Sequence, residues 1–167
     1  NGTAATDAAT FGQLNDAMRY FKAGGLRDGT DDASQSGNSV AIGANASATD
    51  ALSQSNPTSY RNSVAIGDSA SADGGGVAIG DHANSTFTNI AIGNGADAST
   101  PRNSVVIGIG AKVTGWESTA LGSQAIVDGG NSVGLGANVV ASGNSTVALG
   151  ANANASAANS VALGYGS

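Results

Sequence analysis

The sequence predicts an all-β solenoid, a parallel β-roll with two short strands in each coil of about fourteen residues. The main observation is a motif, Asn-Ser-Val-Ala-Ile-Gly, that occurs nine times in identical or variant form. The steps between successive closing glycines are 24, 13, 13, 15, 14, 14, 14 and 14 residues, so each motif marks one turn of a coiled chain. The closing glycines are Gly43, Gly67, Gly80, Gly93, Gly108, Gly122, Gly136, Gly150 and Gly164.

The composition excludes an ordinary globular core and several classes of function. The 167 residues include 26 glycines, and only 4% are aromatic and 11% charged. There is no cysteine, so the chain has neither a disulfide nor a thiolate metal site. The net charge of −6 argues against a nucleic-acid partner. No apolar run approaches the roughly 18 residues that span a bilayer, so we expect a soluble segment.

The first strand of each coil is predicted from the residues just before the closing glycine. The residue one position before the glycine is Ile or Leu in all nine copies, and the residue three positions before it is Val or Ile in eight, with Thr119 as the exception. Because side chains alternate along a strand, these two positions share a face, which we expect to point into the roll.

The second strand follows the glycine and has a thinner apolar face. The third residue after the glycine is Ala or Val in eight copies, from Ala46 to Ala153, and the fifth is again mostly Ala or Val. Polar residues alternate with them, which indicates a face in contact with water. Fourteen residues hold two strands of about five and two tight turns, whereas a three-sided coil of hexapeptides needs about eighteen. We expect the glycine to serve a turn, with a positive φ or a close neighbouring backbone.

The residue two positions before each closing glycine is predicted to form an interface between copies of the chain. It alternates with the Val and Ile positions, so we expect it to face outward, yet it is never polar in nine copies. An apolar face on so thin a roll needs a partner, and a second copy of the same chain is the simplest one. The predicted interface residues are Ala41, Ala65, Ala78, Ala91, Val106, Ala120, Ala148 and Ala162.

The N-terminal segment, residues 1–24, has a helical pattern and divides the chain into a neck and a head over 25–167, with repeat coils from about residue 38. Phe11, Leu14, Met18 and Phe21 are spaced 3, 4 and 3 apart, as in the seam of a coiled coil. A single amphipathic helix folded onto the roll is the alternative. Four heptad positions do not distinguish a dimer from a trimer.

The repeated motif, together with Thr-Asp-Ala-Ala-Thr-Phe-Gly-Gln-Leu-Asn at residues 6–15, resembles the trimeric autotransporter adhesins of Gram-negative bacteria. The head resemblance covers 38–167; the neck match is looser. It implies a homotrimer of left-handed parallel β-rolls of the YadA-like head type. It also implies display at the bacterial cell surface, projected from the outer membrane by a stalk and a C-terminal β-barrel anchor absent from this sequence. The implied partner is a host extracellular-matrix protein, a cell-surface receptor or another bacterium.

Candidate catalytic, cofactor and metal residues are not predicted. His82 and Glu117 are the only histidine and glutamate, and the aspartates are scattered singly, so we expect no enzyme, no cofactor and no metal site. Two alternative functions remain open. A solenoid acyltransferase requires a hexapeptide period and a catalytic histidine, and an ice-binding roll requires ranks of threonine on one outward face.

Departures from the repeat give the candidate ligand-binding residues. The 24-residue step contains about ten extra residues, roughly 50–59, which predict a surface loop ending at Tyr60 and Arg61; the alternative is a neutral insertion. Trp116 lies in a turn, where it either plugs the turn or anchors a ligand. Two further pairs fall at equivalent places in neighbouring coils. Ile126 and Val140 predict a small apolar patch, and Asp97 and Lys112 predict an ion pair.

Overall fold

The computed structural model describes residues 32–36, 39–49, 62–100 and 102–167. Within these ranges the chain forms eighteen short strands arranged in two parallel sheets of nine. The chain alternates between the sheets, so the odd-numbered strands build sheet A and the even-numbered strands build sheet B. Each strand pairs with the strand two further along the chain, which is the topology of a parallel β-solenoid and confirms the predicted all-β roll with two strands in each coil.

The strands are two or three residues long, shorter than the predicted five. Sheet A consists of β1 (Ser34–Gln35), β3 (Ser47–Thr49), β5 (Ser71–Asp73), β7 (Asn84–Ser85), β9 (Asp97–Ala98), β11 (Lys112–Val113), β13 (Ile126–Val127), β15 (Val140–Ala141) and β17 (Asn154–Ala155). Sheet B consists of β2 (Val40–Ile42), β4 (Val64–Ile66), β6 (Val77–Ile79), β8 (Ile90–Ile92), β10 (Val105–Ile107), β12 (Thr119–Leu121), β14 (Val133–Leu135), β16 (Val147–Leu149) and β18 (Val161–Leu163). The described ranges contain no helix that is long and apolar enough to cross a lipid bilayer.

The register places equivalent residues of successive motifs side by side. Val106 pairs with Ala91 on one side and with Ala120 on the other. The same register holds across the 24-residue step, where Ala41 pairs with Ala65. The extra residues of that step, 50–59, lie outside the described part of the chain, but the coils on either side of them stack as if they were absent.

Because the strands are shorter than expected, more residues of each coil lie in the turns. Twelve non-glycine residues in the described part of the chain have a positive φ, and six of them are asparagines. Asn and Gly tolerate this left-handed conformation better than other residues. His82 and Gln124, two residues after a closing glycine, were expected on a strand and instead lie in such a turn, at φ 54° and 56°.

The closing glycines have both of the properties expected of them. Gly108 has a φ of 146°, and a Cβ atom at this position would lie 2.2 Å from the carbonyl oxygen of Gly122 in the next coil. No side chain fits so close to a backbone carbonyl. In eight of the nine motifs the glycine therefore sets both the turn and the tight stacking of the coils, and Gly164 in the last coil shares only the positive φ.

The interior of the roll is a thin layer of small side chains. From sheet A, the predicted inner positions are confirmed: the third and fifth residues after the glycine are buried, as at Ala125 and Val127. The residues that face them from sheet B are the alanines that were predicted to face outward. That prediction is wrong, because in a single chain these side chains have little or no exposed surface. Ala65, Ala78, Ala91, Val106, Ala120 and Ala148 are 0% exposed, Ala162 is 8% exposed, and Ala41 is partly buried against the same core.

The narrow space between the sheets explains this arrangement. At Gly134, which occupies the alanine position in β14, a Cβ atom would lie only 2.8 Å from Cγ2 of Val127 and 3.2 Å from Cγ1 of Val139. Where sheet A contributes both of these valines, sheet B compensates with glycine. Small side chains fill most of this narrow space, and the larger Val, Ile and Leu residues that alternate with them in sheet B point to the outside.

A ladder of hydroxyl groups runs along one side of the interior. The hydroxyl of Ser118 accepts a hydrogen bond from the backbone N–H of Ser132 (3.1 Å) and lies 2.9 Å from the carbonyl oxygen of Gly129, to which it donates. The hydroxyl of Ser132 makes the same contacts to Thr146 and Gly143 in the next coil. These bonds satisfy backbone groups that the short strands leave unpaired.

Candidate interaction surfaces

The outer surface of sheet B is a continuous sheet of aliphatic side chains, which we call the aliphatic face. It consists of the residues one and three positions before each closing glycine, and none of them is buried. Seventeen of its eighteen residues are Val, Ile or Leu, and Thr119 is the exception. The residues are Val40, Ile42, Val64, Ile66, Val77, Ile79, Ile90, Ile92, Val105, Ile107, Thr119, Leu121, Val133, Leu135, Val147, Leu149, Val161 and Leu163.

Such a surface is unusual on an isolated soluble chain. Monomeric proteins expose scattered apolar residues, whereas large contiguous apolar patches mark interaction sites. In the middle of the face, Ile107 and Leu121 are each 37% exposed, and at the last coil Val161 is 70% exposed. The two rows of aliphatic side chains in this face, which we call the apolar columns, run the whole length of sheet B. The sequence pattern missed this face because it assigned these residues to the interior.

The outer surface of sheet A is polar, and side-chain hydrogen bonds connect its neighbouring coils. The hydroxyl of Thr114 donates to Oδ1 of Asp128 (2.7 Å), and the hydroxyl of Thr49 donates to Oδ1 of Asp73 (2.9 Å). The roll therefore has one surface suited to water and one suited to burial.

The predicted pair of Asp97 and Lys112 is confirmed on sheet A. The two residues are partners in the register of β9 and β11, and Nζ of Lys112 lies 3.0 Å from Oδ2 of Asp97. Both the backbone N–H and the hydroxyl of Ser99 also donate to this carboxylate. Burial raises the pKa of Asp97, but the hydrogen bonds from Ser99 and Lys112 outweigh it and hold the pKa below its ordinary value.

The other candidate ligand-binding residues have different outcomes. Ile126 and Val140 are register partners on the outer side of sheet A, so the predicted two-residue apolar patch exists on this polar surface. Trp116 is 63% exposed, which excludes the turn-plug alternative and leaves its role as a ligand anchor a prediction. Tyr60 and Arg61 lie outside the described residues. The four predicted neck residues, Phe11, Leu14, Met18 and Phe21, lie outside them as well.

The structure adds two residues to the surroundings of Trp116. In the preceding coil, the guanidinium carbon of Arg102 lies 4.4 Å from the centre of the Phe87 ring. Neither Arg102 nor Phe87 was among the candidate residues predicted from the sequence. Both residues stand six positions before a closing glycine, as Trp116 does, and this shared offset was the available signal.

The described residues bring no candidate catalytic group together. The imidazole of His82 lies against the neighbouring carboxylate of Asp81, and both side chains are exposed. Within the described ranges no three His, Cys, Asp or Glu residues are close enough to hold a metal ion.

Fold and surfaces together define a repetitive β-solenoid scaffold with one aliphatic and one polar face. A family model described as the YadA head domain repeat matches residues 36–51, 61–83, 102–125, 114–138 and 141–167, which is more than half of the chain. The chain belongs to the YadA head domain family. This is a family of adhesins rather than enzymes, and its members are surface passenger segments of autotransporters. No curated protein matches the chain significantly.

Proposed function

We propose that this chain is the head of a homotrimeric adhesin, displayed at the bacterial surface, that binds a host matrix protein, a cell-surface receptor or another bacterium. The observation that carries the proposal is the aliphatic face of sheet B. Family membership supports both adhesion and the trimer, since heads of this family are homotrimeric. The proposed ligand surface is the polar side of the roll, and residues 1–24 act as the helical neck.

The aliphatic face supplies the interface that the alanines were expected to supply. A closed assembly in which each copy turns this face toward a common axis removes the apolar columns from water. Burial of such columns is the main driving force of permanent association. The same arrangement leaves sheet A and both rows of turns exposed on every copy. The exposed polar surface is then available to a ligand in three copies.

The oligomeric state of the whole chain tests this assembly. Sedimentation or light scattering is expected to give three chain masses. Leu121→Asp places three charges at the interface of each trimer and is expected to abolish the trimer. Gln124→Asp lies in the same coil, in an exposed turn, and is the matched control that leaves the trimer intact. A wild-type chain that sediments as a folded monomer contradicts the proposal.

Adhesion is tested separately on the trimer. Purified trimer is applied to immobilised matrix proteins and to host cells, and saturable binding to at least one of them is expected. A trimer that binds no matrix protein, no host cell and no bacterium contradicts the adhesive part of the proposal while leaving the assembly intact.

A further inference from the structure

One edge of the roll carries three large side chains in three successive coils, and we call them the edge patch: Phe87, Arg102 and Trp116. Each stands six positions before a closing glycine, in the turn that leads from sheet A to sheet B. The turns are stacked through the backbone: Glu117 N–H donates to the carbonyl of Arg102 (3.0 Å), and Asn131 N–H donates to that of Trp116 (2.8 Å). Neighbouring coils of a parallel ladder are about 4.8 Å apart, so the three side chains form one surface.

Arg102 is a positioned cation. Its guanidinium lies over the Phe87 ring at 4.4 Å, an arrangement that holds the group by a cation–π contact. The ion pairs formed among the described residues use Lys112 and His82, and none uses Arg102. A guanidinium stacked on a ring keeps its N–H edge free for a planar, two-oxygen acceptor such as a carboxylate.

Phe87 occupies a backbone conformation that disfavours it. Its φ is 55°, and among the twelve non-glycine residues with positive φ in the described chain it is the only one with an apolar side chain. Asn or Gly relaxes such a position, and six of the other eleven are Asn. Strained residues of this kind cluster at binding sites, where the side chain is needed. At this position the side chain is the platform for Arg102.

Trp116 lies beside an open notch. Its indole is 63% exposed, and the equivalent residue of the next coil is Gly130, which has no side chain to cover it. One coil further, Oδ1 of Asn144 accepts the N–H of Gly130 (2.9 Å), so this side chain is folded toward the notch. An aromatic face, a cation on one side and an amide on the other thus follow one another along the edge.

We propose that the edge patch binds a sugar residue that carries a carboxylate. The apolar face of the sugar ring stacks on Trp116, and the carboxylate takes two N–H groups of Arg102. The chain's net charge of −6 and the neighbouring Glu117 disfavour a polyanion, which selects a sugar with a single negative charge. The inference rests on the proposed adhesive function and names the chemical class of its ligand.

Calorimetry or NMR titration of the whole assembled chain tests the ligand class. The probes are sialyllactose and an unsulfated glucuronate-containing oligosaccharide, which distinguish the two common sources of such a sugar. Lactose is the neutral control and heparin is the polyanionic control. At least one carboxylated probe is expected to bind about tenfold or more tightly than lactose and heparin. Equal binding of lactose, tighter binding of heparin, or no binding of either carboxylated probe overturns the proposal.

Variants of the edge patch test the residues. Trp116→Ala and Arg102→Lys are each expected to weaken binding by about tenfold or more. Ile109→Ala is the matched control, because Ile109 is also 63% exposed but lies in the opposite turn. Phe87→Asn separates binding from folding: it relieves the backbone, so the melting temperature is expected to hold or rise while binding falls. Unchanged binding in Trp116→Ala or Arg102→Lys overturns the assignment.

The two proposals fail differently. A trimer that binds cells or matrix proteins but none of the carboxylated probes rejects the sugar site alone. A chain that does not form a trimer, or a trimer that binds no biological surface, rejects the adhesive function first. The mass measurement and the cell-binding assay are therefore run on the same preparation as the titrations.

Discussion

At each closing glycine, the carbonyl group of the next coil occupies the space that a side chain would need. Gly108→Ala places a methyl group 2.2 Å from the Gly122 carbonyl oxygen and imposes a φ of 146° on alanine. We expect a loss of about 3 kcal/mol or more in the free energy of unfolding, measured by urea denaturation at one protein concentration.

The neighbouring Gly110 provides the control for this prediction. Its φ is 63°, and a Cβ atom there would come no closer than 3.8 Å to Cγ of Gln124. Gly110→Ala is therefore expected to cost only about 1 kcal/mol, for the left-handed backbone. Equal losses in the two variants would show that stacking contributes nothing to the requirement for glycine.

The carboxylate of Asp97 is predicted to make stability depend on pH. The pKa of Asp97 is lower in the folded chain than in the unfolded chain. Its contribution to stability is therefore present above the pKa of the unfolded chain and is lost as the pH falls through the pKa of the folded chain. Asp97→Asn is expected to cost about 0.2–1 kcal/mol at pH 7, and this difference is expected to shrink below about pH 4. Urea unfolding over a pH series measures it.

The same substitution in a chain that lacks Lys112 checks that Lys112 is the partner of Asp97. In a Lys112→Met chain, Asp97→Asn is expected to cost less at pH 7 than it does in the wild type, because the 3.0 Å ion pair is already gone. A difference between wild type and Asp97→Asn that grows toward acid pH would contradict the sign of the pKa shift.

At the scale of the strand, the sequence predicted where the strands lie but not which way those of sheet B face. The period of fourteen and the alternation in sheet A decide the fold and the register, and the pairs at Asp97 and Ile126 follow by counting. In sheet B, however, both faces of Val-Ala-Ile are apolar. Alternation alone cannot choose between two apolar faces, because that choice depends on the width of the interior. The interface prediction failed for this reason.

One position in the sequence does record that width. Gly134 replaces alanine in β14, the strand whose inner position faces the valines Val127 and Val139. A residue that faced outward at this position would not need to be smaller than alanine. The exposure of Trp116 had no comparable signal in the sequence. The apolar pattern predicts the strands, whereas the turns depend on residues in the left-handed conformation.

The inward position of Gly134 in β14 can be tested by substitution. Gly134→Ala is expected to destabilise the chain by about 1–3 kcal/mol, because its methyl group would lie 2.8 Å from Cγ2 of Val127. Adding Val127→Ala removes the opposing methyl group. The double variant is then expected to be at least about 1 kcal/mol more stable than the two single losses add up to. Additive losses would mean that the two side chains do not meet.

At the scale of the whole molecule, each coil contacts only the coils before and after it, so the roll is expected to tolerate the loss of one complete coil. Deletion of 109–122 removes fourteen residues and brings 123–136 onto the coil that ends at Gly108. The inner residues Ala111 and Val113 are then replaced by Ala125 and Val127, which are the same residue types. We expect a folded trimer with a modestly lower melting temperature.

Deletion of half a coil, residues 109–115, is the control. It brings the sheet B strands that follow it into line with sheet A, which divides the aliphatic face between the two sides of the roll, so a chain that does not form the trimer is expected. Light scattering compares the two deletions. A complete-coil deletion that loses the trimer as the half-coil deletion does would show that the coils are not interchangeable units.

The register has a consequence for how quickly the protein reaches this structure. Parallel sheets usually join strands that are far apart along the chain, and closing such long loops makes folding slow. In the described coils, almost every strand meets its partner after 13 to 15 residues, the exception being the 24-residue step. The roll therefore has parallel sheets but the short contact distances of a helical protein. An emerging chain can add one coil after another onto a finished end, without waiting for residues that have yet to appear.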